Sequence, residues 1–543
     1  MIRIAIYDRY LSTAGGGERY SCKAAQVLAD RDGFSVDMLT DIHADKDEVS
    51  KKLNLDLSKV NLRVFPLISD DFAEEITRQY DVFINCTYLS ALSSYAKKSI
   101  YLCYFPTPFD VDFKFIHRFL LLFRPAAIML FKIASKMTSD FKEVNILEGL
   151  YESKRFLLRR GSWAGKKARI IFKKDIGDFA LGLKNPSSSP LDKVDVRVVL
   201  GWADIVHEET ITLKKGEKRI YRPPASLAAK MREKDPGGLN LTLYSDTFVP
   251  KMNNSGIEDS RELGFVVYDE SNEARLKKLV LKAVGYVPLF LSSYPLNLRF
   301  LNTYEKIVSI SEYSSGWIKR YWKRSSEILF PPVDIKSFKC TSKENIIVSV
   351  GRFFPEHHNK KQLELAEVFI DLLKTDPALM KGYRLCLAGG LSDKKSHIEY
   401  VNKIRKISEG YPIEILTNIG FSDLVSLFSK SKIFWHASGA GVSPGKHPEK
   451  FEHFGITTVE AMASGTIPIV INKGGQVEII EDGKNGFLFE DFEELKKKTL
   501  EVIADEDSFE HIRQKAMDDS HKFSNENFGS NLFKIIEDLI DGN

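Results

Sequence analysis

From residue 344 to residue 471 the chain alternates between short apolar runs and longer segments with helical spacing. "NIIVSVGRF", "YRLCLAGG", "IEILTNIG", "KIFWHAS" and "TIPIVIN" read as strands buried on both faces, while "QLELAEVFIDLLKT" and "DLVSLFSKS" carry apolar residues at helical intervals. Strands that are apolar throughout need helices over both sheet faces, which predicts a parallel α/β sheet. The same alternation opens the chain, with "IRIAIYD", "FSVDMLT", "YDVFINC" and "SIYLCYF" as strands and "GERYSCKAAQVLADR" as a helix.

Between these stretches the pattern changes. "KARIIFKKD", "FALGLKN", "KVDVRVVLGWAD", "EETITLKKGEKRIYRP", "LNLTLYSDTF" and "ELGFVVYDE" are short strands divided by the turn signals "NPSSSP", "KKGE" and "DPGG", which predicts an all-β, sandwich-like module. Helical spacing returns in "SNEARLKKLVLKAVG" and "YSSGWIKRYWKR", with "EKIVSIS" as a strand between them, so the β module reads as an insertion. "ILFPPVDIKSF" reads as a linker because paired prolines favour extended chain. The expected division is 1–158 and 271–332 for the first α/β domain, 159–270 for the insertion, 333–518 for the second α/β domain and 519–543 for a last amphipathic helix.

A chain of 543 residues exceeds one hydrophobic core. Its 78 basic and 74 acidic residues leave a net charge of +4, which offers no broad nucleic-acid surface. Cys22, Cys86, Cys103, Cys340 and Cys386 form no CxxC pair, as expected of a reducing compartment without a zinc site. The N-terminus lacks a signal-peptide pattern, so a cytoplasmic location is expected. "RFLLLFRPAAIMLFKIASKM" (118–137) is very apolar, but Arg124, Pro125 and Lys132 interrupt it before the ~20 residues that span a bilayer. It reads either as a buried core helix or as an interfacial segment with Arg118, Arg124, Lys132 and Lys136 near lipid phosphates.

Three places carry groups suited to a polar ligand. Gly15, Gly16 and Gly17 lie between the first strand and the first helix, where backbone can approach phosphate or sugar oxygens. Arg352 follows a strand's C-terminal end and Lys360 precedes the next helix, a cation pair able to neutralise a diphosphate. Glu452 and Glu460 flank the turn before a helix whose first amides, those of Gly455, Ile456 and Thr457, form an anion site. Such a pair of carboxylates is either a solvated charge pair or a grip on vicinal hydroxyls. Ribose at one glutamate, diphosphate at the helix end and hexose at the other is the arrangement a sugar nucleotide would take.

The E-x7-E pair Glu452 and Glu460, "GRF" with Lys360, "MASGTIPIV", "GGQVEIIEDGKNGFLF" and "ILFPPVD" together resemble the retaining, nucleotide-sugar-dependent glycosyltransferases of family 4. "FEHFGI" and "GGGER" are most similar to members acting on lipid-linked acceptors. The resemblance implies a GT-B fold, two Rossmann-like domains facing a cleft, here with the all-β module inserted in the N-terminal one. It implies transfer of a hexose-type sugar from a nucleotide diphosphate donor to a saccharide or lipid-linked acceptor, in polysaccharide synthesis for the cell envelope. Glu460 would bind the ribose hydroxyls and Glu452 the donor sugar near O3 and O4, with Arg352 and Lys360 holding the diphosphate as it leaves. Gly15 to Gly17 would meet the donor phosphate or the acceptor. No metal or cofactor is implied, and "DVD" (110–112) and "DED" (505–507) are read as chance.

This sequence departs from the pattern at Tyr104, where many relatives have a histidine, and in the long stretch "HASGAGVSPGKHPEKFEHFG". His436 in that stretch is a candidate donor-site residue or a structural histidine. Two other classes of function compete. The glutamates could serve a glycosidase, which also uses paired carboxylates. Alternatively the chain is a catalytically silent glycan-binding or scaffold protein that recruits through its β module.

Overall fold

The computed structural model describes residues 1–13, 15–40, 44–64, 70–111, 113–137, 144–151, 162–172, 180–202, 205–222, 224, 239–248, 263–269, 287, 291, 295, 297–356, 359–505 and 507–542. The helix expected over 271–285, the "DPGG" turn and the 158/159 boundary lie outside the described residues. The chain divides into two compact units, one of Met1–Glu18, Ala29–Ser99 and Pro108–Tyr304, the other of Arg19–Leu28, Ile100–Thr107 and Glu305–Asn543.

In the first unit the opening strand Ile2–Tyr7 pairs in parallel with Phe34–Thr40 and Val82–Asn85, and Phe34–Thr40 pairs with Asn61–Val64. The Gly-rich turn leads into the helix Gly16–Ala29. The all-β module is one antiparallel sheet in the order Ile205–Lys214, Lys193–Trp202, Leu239–Ser245, Ser162–Phe172, Phe265–Asp269, Leu181–Lys184, Lys218–Tyr221. Val194, Val196, Val198 and Leu200 are all buried, the alternation of a strand with one face on a core. A further strand, Val144–Tyr151, pairs with Ser162–Phe172; sequence reading missed it because "VNILEGLY" has no clean alternation. "EETITLKKGEKRIYRP" divides into two strands at the turn around Gly216, whose φ of +80° favours glycine.

The apolar stretch at 118–137 forms a helix Phe115–Leu120, a 3-10 turn Leu121–Phe123 and a helix Arg124–Met137. Phe115, Ile116, Leu122, Phe123 and Met129 are more than half exposed and Phe119 nearly so, which removes the buried-core reading for this described part. Arg124 anchors the segment through Nε to the carbonyl of Leu291 at 3.0 Å. No helix among the described residues is long and apolar enough to cross a membrane.

In the second unit, Lys306–Ser309 pairs in parallel with Ile100 to Cys103 and with Glu327–Ile328. A six-stranded parallel sheet follows, in the order Ile413–Thr417, Arg384–Gly389, Glu344–Val350, Ser431–His436, Ile467–Ile471, Phe487–Phe489. The expected helix at 362–375 is present as Gln362–Thr375, packing Leu365, Phe369 and Leu372 on the sheet. The last helix, Asn525–Asp541, sets Phe528 edge-on against Tyr20 with centroids 5.1 Å apart.

Strand order in this sheet reverses between Glu344–Val350 and Ser431–His436, which are neighbours in space. Such a switch point opens a crevice at the carboxyl ends of the two strands. The residues placed there are Gly351 and Arg352 on one side and His436 on the other.

Candidate active site

The helix Ile456–Ala463 starts where it does because Gly455 precedes it with φ +127°, outside the range of other residues. A Cβ on Gly455 would stand 2.9 Å from Nε2 of Gln476, a buried side chain whose Oε1 accepts from Thr458 at 2.8 Å. Glu452 therefore sits in the loop before the helix and Glu460 in its second turn, a break that releases the two carboxylates from helical spacing. The amides of Gly455, Ile456 and Thr457 have no acceptor among the described residues, as the first turn of a helix requires.

The loop carrying Glu452 is fixed by the "KGG" turn. The amide of Gly475 donates to the carbonyl of Glu452 at 2.7 Å, and a Cβ on Gly474, whose φ is +70°, would lie 2.5 Å from that same oxygen. Backbone comes so close here that side chains are excluded.

Glu452 is the centre of a polar cluster. Oε2 accepts from Nζ of Lys360 in a close ion pair, and from Nε2 of His436 at 2.9 Å. Burial alone would raise the Glu452 pKa, but Lys360 first and His436 second outweigh it and hold the carboxyl well below its ordinary range. His436 is 2% exposed. Burial pushes its pKa down against the attraction of Glu452, so the ring is neutral near pH 7. Lys361, next in the chain to Lys360, turns away with φ +63° and pairs with Glu364 at 2.8 Å.

Arg352 follows the strand at the switch point, is exposed, and forms no ion pair among the described residues. The stem of Lys360 lies over Gly351, where a Cβ would come within 2.6 Å of Cγ. The two cations are thereby set on one strand end, Lys360 already engaged and Arg352 open to an anion.

Glu460 is buried, and its carboxylate has no hydrogen-bond or ion-pair partner among the described residues. Burial raises its pKa to about 7, with Arg19 opposing the rise and Asp334 adding to it. Sequence reasoning missed Arg19, although it belongs to the quoted "GGGER"; its guanidinium lies 5.8 Å over the ring of Phe421. Gly15 to Gly17 belong to the first unit at the start of Gly16–Ala29. There the Gly15 amide donates to Oε2 of Glu18 at 2.6 Å, so the chain's own carboxylate occupies the first of those amides.

Also missed from sequence is Glu478, within "GGQVE". Its two oxygens accept from the amides of Glu312 and Tyr313, each at 2.6 Å, at the start of the helix Glu312–Trp322. Burial raises the Glu478 pKa to about 7, although both amides pull it down. Tyr104 contributes its carbonyl to Ser314 Oγ at 2.6 Å and its ring to Tyr20, with centroids 6.1 Å apart. Among the described residues no group of three or more histidines, cysteines or acids is arranged to hold a metal ion.

Residues 333–519 match the family model described as glycosyl transferases group 1. The chain is 26% identical over 293 residues to the GDP-Man:Man(3)GlcNAc(2)-PP-Dol alpha-1,2-mannosyltransferase of Dictyostelium discoideum, covering 50% of this chain and 55% of that one. It is 28% identical over 250 residues to the human protein of the same name, covering 42% and 48%. The chain thus spans about half the length of these curated relatives. The crystal structure of Anabaena HepE in complex with UDP superposes with a TM-score of 0.50 at 11% identity, covering 99% of this chain and all of that one. The chain has the GT-B fold, and its match to glycosyl transferases group 1 lies within residues 333–519.

Proposed function

We propose that the protein is a retaining hexosyltransferase that moves a sugar from a nucleoside diphosphate donor to a lipid-linked or other saccharide acceptor. One observation supports this reading: beside the strand end at the switch point, Lys360 pairs with Glu452 in the loop leading into a helix whose first amides have no acceptor among the described residues, with Arg352 exposed at the same strand end and Glu460 buried in the helix. They include an acceptor for ribose hydroxyls and two donors for a diphosphate, Glu460 for the first, Arg352 and the amides of Gly455 to Thr457 for the second. Lys360 joins Arg352 on the leaving diphosphate, and Glu452 receives the sugar.

In the reaction the glycosidic C–O bond to the diphosphate breaks, positive charge grows on the sugar, and negative charge grows on the phosphate. Donors already aimed at that phosphate lower the barrier without reorganising. Attack by the acceptor hydroxyl on the face that the diphosphate leaves gives retention, and the acceptor's proton departs with the diphosphate. Charge neutralisation is assigned to side chains and amides, so this reading needs no metal.

The names of the relatives point to GDP-mannose as the first donor to test and to a saccharide on a lipid diphosphate as the acceptor class. A peripheral place on the cytoplasmic membrane face suits such an acceptor. The exposed apolar side chains of Phe115, Ile116, Phe119, Leu122 and Phe123 support it, in a sequence with no acidic residue from Phe113 to Ser139.

The test is incubation of the purified protein with GDP-mannose, UDP-glucose and other nucleotide sugars, reading thermal stabilisation and release of nucleoside diphosphate, without and with lipid-linked saccharide. One donor should stabilise the protein, and Glu460→Ala or Arg352→Ala should abolish the effect. Binding without turnover on any acceptor would favour the silent-scaffold reading, and hydrolysis of a glycoside without nucleotide would favour a glycosidase. Co-sedimentation with anionic vesicles, lost on Phe119→Ser with Phe123→Ser, checks the membrane contact.

A further inference from the structure

The two protein donors at Glu452 converge on the same oxygen. Lys360 Nζ and His436 Nε2 both reach Oε2, and no described residue donates to Oε1. A carboxylate accepts through both oxygens, so half of its hydrogen-bonding capacity is left open. His436 stands at the end of the strand Ser431–His436 and is 2% exposed, with Nδ1 lacking a hydrogen-bond partner among the described residues. With a carboxylate oxygen 2.9 Å from Nε2, the ring proton belongs on that nitrogen. The imidazole is thus a rigid donor fixed by the sheet, whereas Lys360 reaches the same oxygen on a flexible stem.

We infer that His436 is a positioning residue for the transferred sugar: by holding Oε2 of Glu452, it keeps Oε1 as the oxygen presented to a sugar hydroxyl. The inference rests on the donor site proposed above and adds a division of labour within it. Lys360 must serve the diphosphate when a donor is bound, and a Glu452 held by Lys360 alone would turn with it. The imidazole takes no part in that exchange and fixes the carboxylate through it. His436 touches neither substrate nor reacting atoms, so its effect falls on the sugar half of the donor and leaves the nucleotide half untouched.

This separation is measurable by calorimetry with two pairs of probes, GDP against GDP-mannose and UDP against UDP-glucose. In the wild type, one sugar nucleotide should bind more tightly than its bare diphosphate. His436→Leu, or the milder His436→Asn whose amide falls short of the carboxylate, should weaken that sugar nucleotide about tenfold to a hundredfold, the loss of one hydrogen bond to a charged group. Affinity for the bare diphosphate should stay within about twofold, since no contact to it changes. His436→Gln, which can place an amide N–H near the position of Nε2, should restore most of the loss. Equal weakening of diphosphate and sugar nucleotide would show a merely structural histidine and overturn the inference, as would unchanged affinities in Leu and Asn variants. If the wild type itself binds no sugar nucleotide more tightly than its diphosphate, the donor-site reading falls and takes this inference with it. Because Asn and Gln are both small polar replacements, their comparison still decides if the Leu variant fails to fold.

Discussion

The ring of His453 lies face to face with that of Phe105, centroids 4.3 Å apart and planes 9° apart. His453 is the residue after Glu452, and Phe105 is itself stacked on Tyr313, whose hydroxyl donates to the carbonyl of Pro448 at 2.8 Å. The loop bearing Glu452 is therefore held by aromatic contacts on one side and by the backbone of Gly474 and Gly475 on the other. Phe105→Leu keeps apolar volume and loses the stack, so it should cost about 1 kcal/mol in urea unfolding. Turnover should fall by a larger factor than stability alone explains, because the position of Glu452 relaxes.

Glu460→Gln should separate stability from binding. The carboxyl has a pKa of about 7 in the fold and an ordinary one near 4.5 when unfolded, because burial disfavours its charge. Its neutral form is favoured in the fold, so its contribution is complete below about pH 4.5 and is lost as pH rises through 7. Above pH 7 the Gln variant removes an unfavourable buried charge and should raise stability by up to about 3 kcal/mol. Thermal melts at pH 4 and pH 8 check this: the gain should appear at pH 8 and vanish at pH 4, while stabilisation by nucleotide is lost at both.

Lys360→Ala and Arg352→Ala should differ in kind. Removing Lys360 leaves the buried Glu452 charge with His436 alone, at a cost of about 2–4 kcal/mol in folding stability. Arg352 is exposed and makes no ion pair among the described residues, so its removal should leave the melting temperature within a degree or two while lowering kcat by about a hundredfold or more. A comparable loss of stability in both variants would contradict the assignment of Arg352 to the ligand.

Gly474→Ala should be among the more damaging substitutions of a small side chain. It adds a Cβ 2.5 Å from the carbonyl oxygen of Glu452 at a residue with φ +70°. Neither partner is a flexible side-chain end, so the loop must shift, at ~2–4 kcal/mol and with donor affinity reduced. By contrast Gly483→Ala, with φ +72° and nothing within 4 Å, should cost only about 1 kcal/mol and leave affinity unchanged. Chemical denaturation and nucleotide titration of the two variants test the contrast.

Turnover should survive chelation. Arg352, Lys360 and the helix amides carry the charge that a metal would otherwise offset, so EDTA should leave the rate of donor consumption unchanged within about twofold. A loss reversed by added magnesium would revise the proposed mechanism.

How much of this was legible beforehand depends on the range of the interaction. The helix at 362–375 and the strands around Cys386, Ile415, Trp435 and Ile469 follow from apolar spacing within a dozen residues, which a linear sequence displays directly. Gly455 and Ile456 marked the start of the site helix for the same reason. Val144–Tyr151 escaped because its place in the sheet rests on pairing with Ser162–Phe172, and its own residues do not alternate. Lys360 and Lys361 are adjacent in the sequence, yet in the fold Lys361 turns to Glu364 and Lys360 meets Glu452.

Local periodicity and glycine placement encode the kind of element at each position and the residue types gathered near the strand ends, so both are readable along the chain. It took the folded chain to show that Lys360 and His436 share one oxygen of Glu452, that Glu460 is buried with no partner among the described residues, and that Arg19 and Glu478 belong to this unit's charge balance. Those are contacts between residues 16 to several hundred positions apart. Burial and Coulomb interaction depend on distance through space, and chain position does not specify that distance until the sheet has formed.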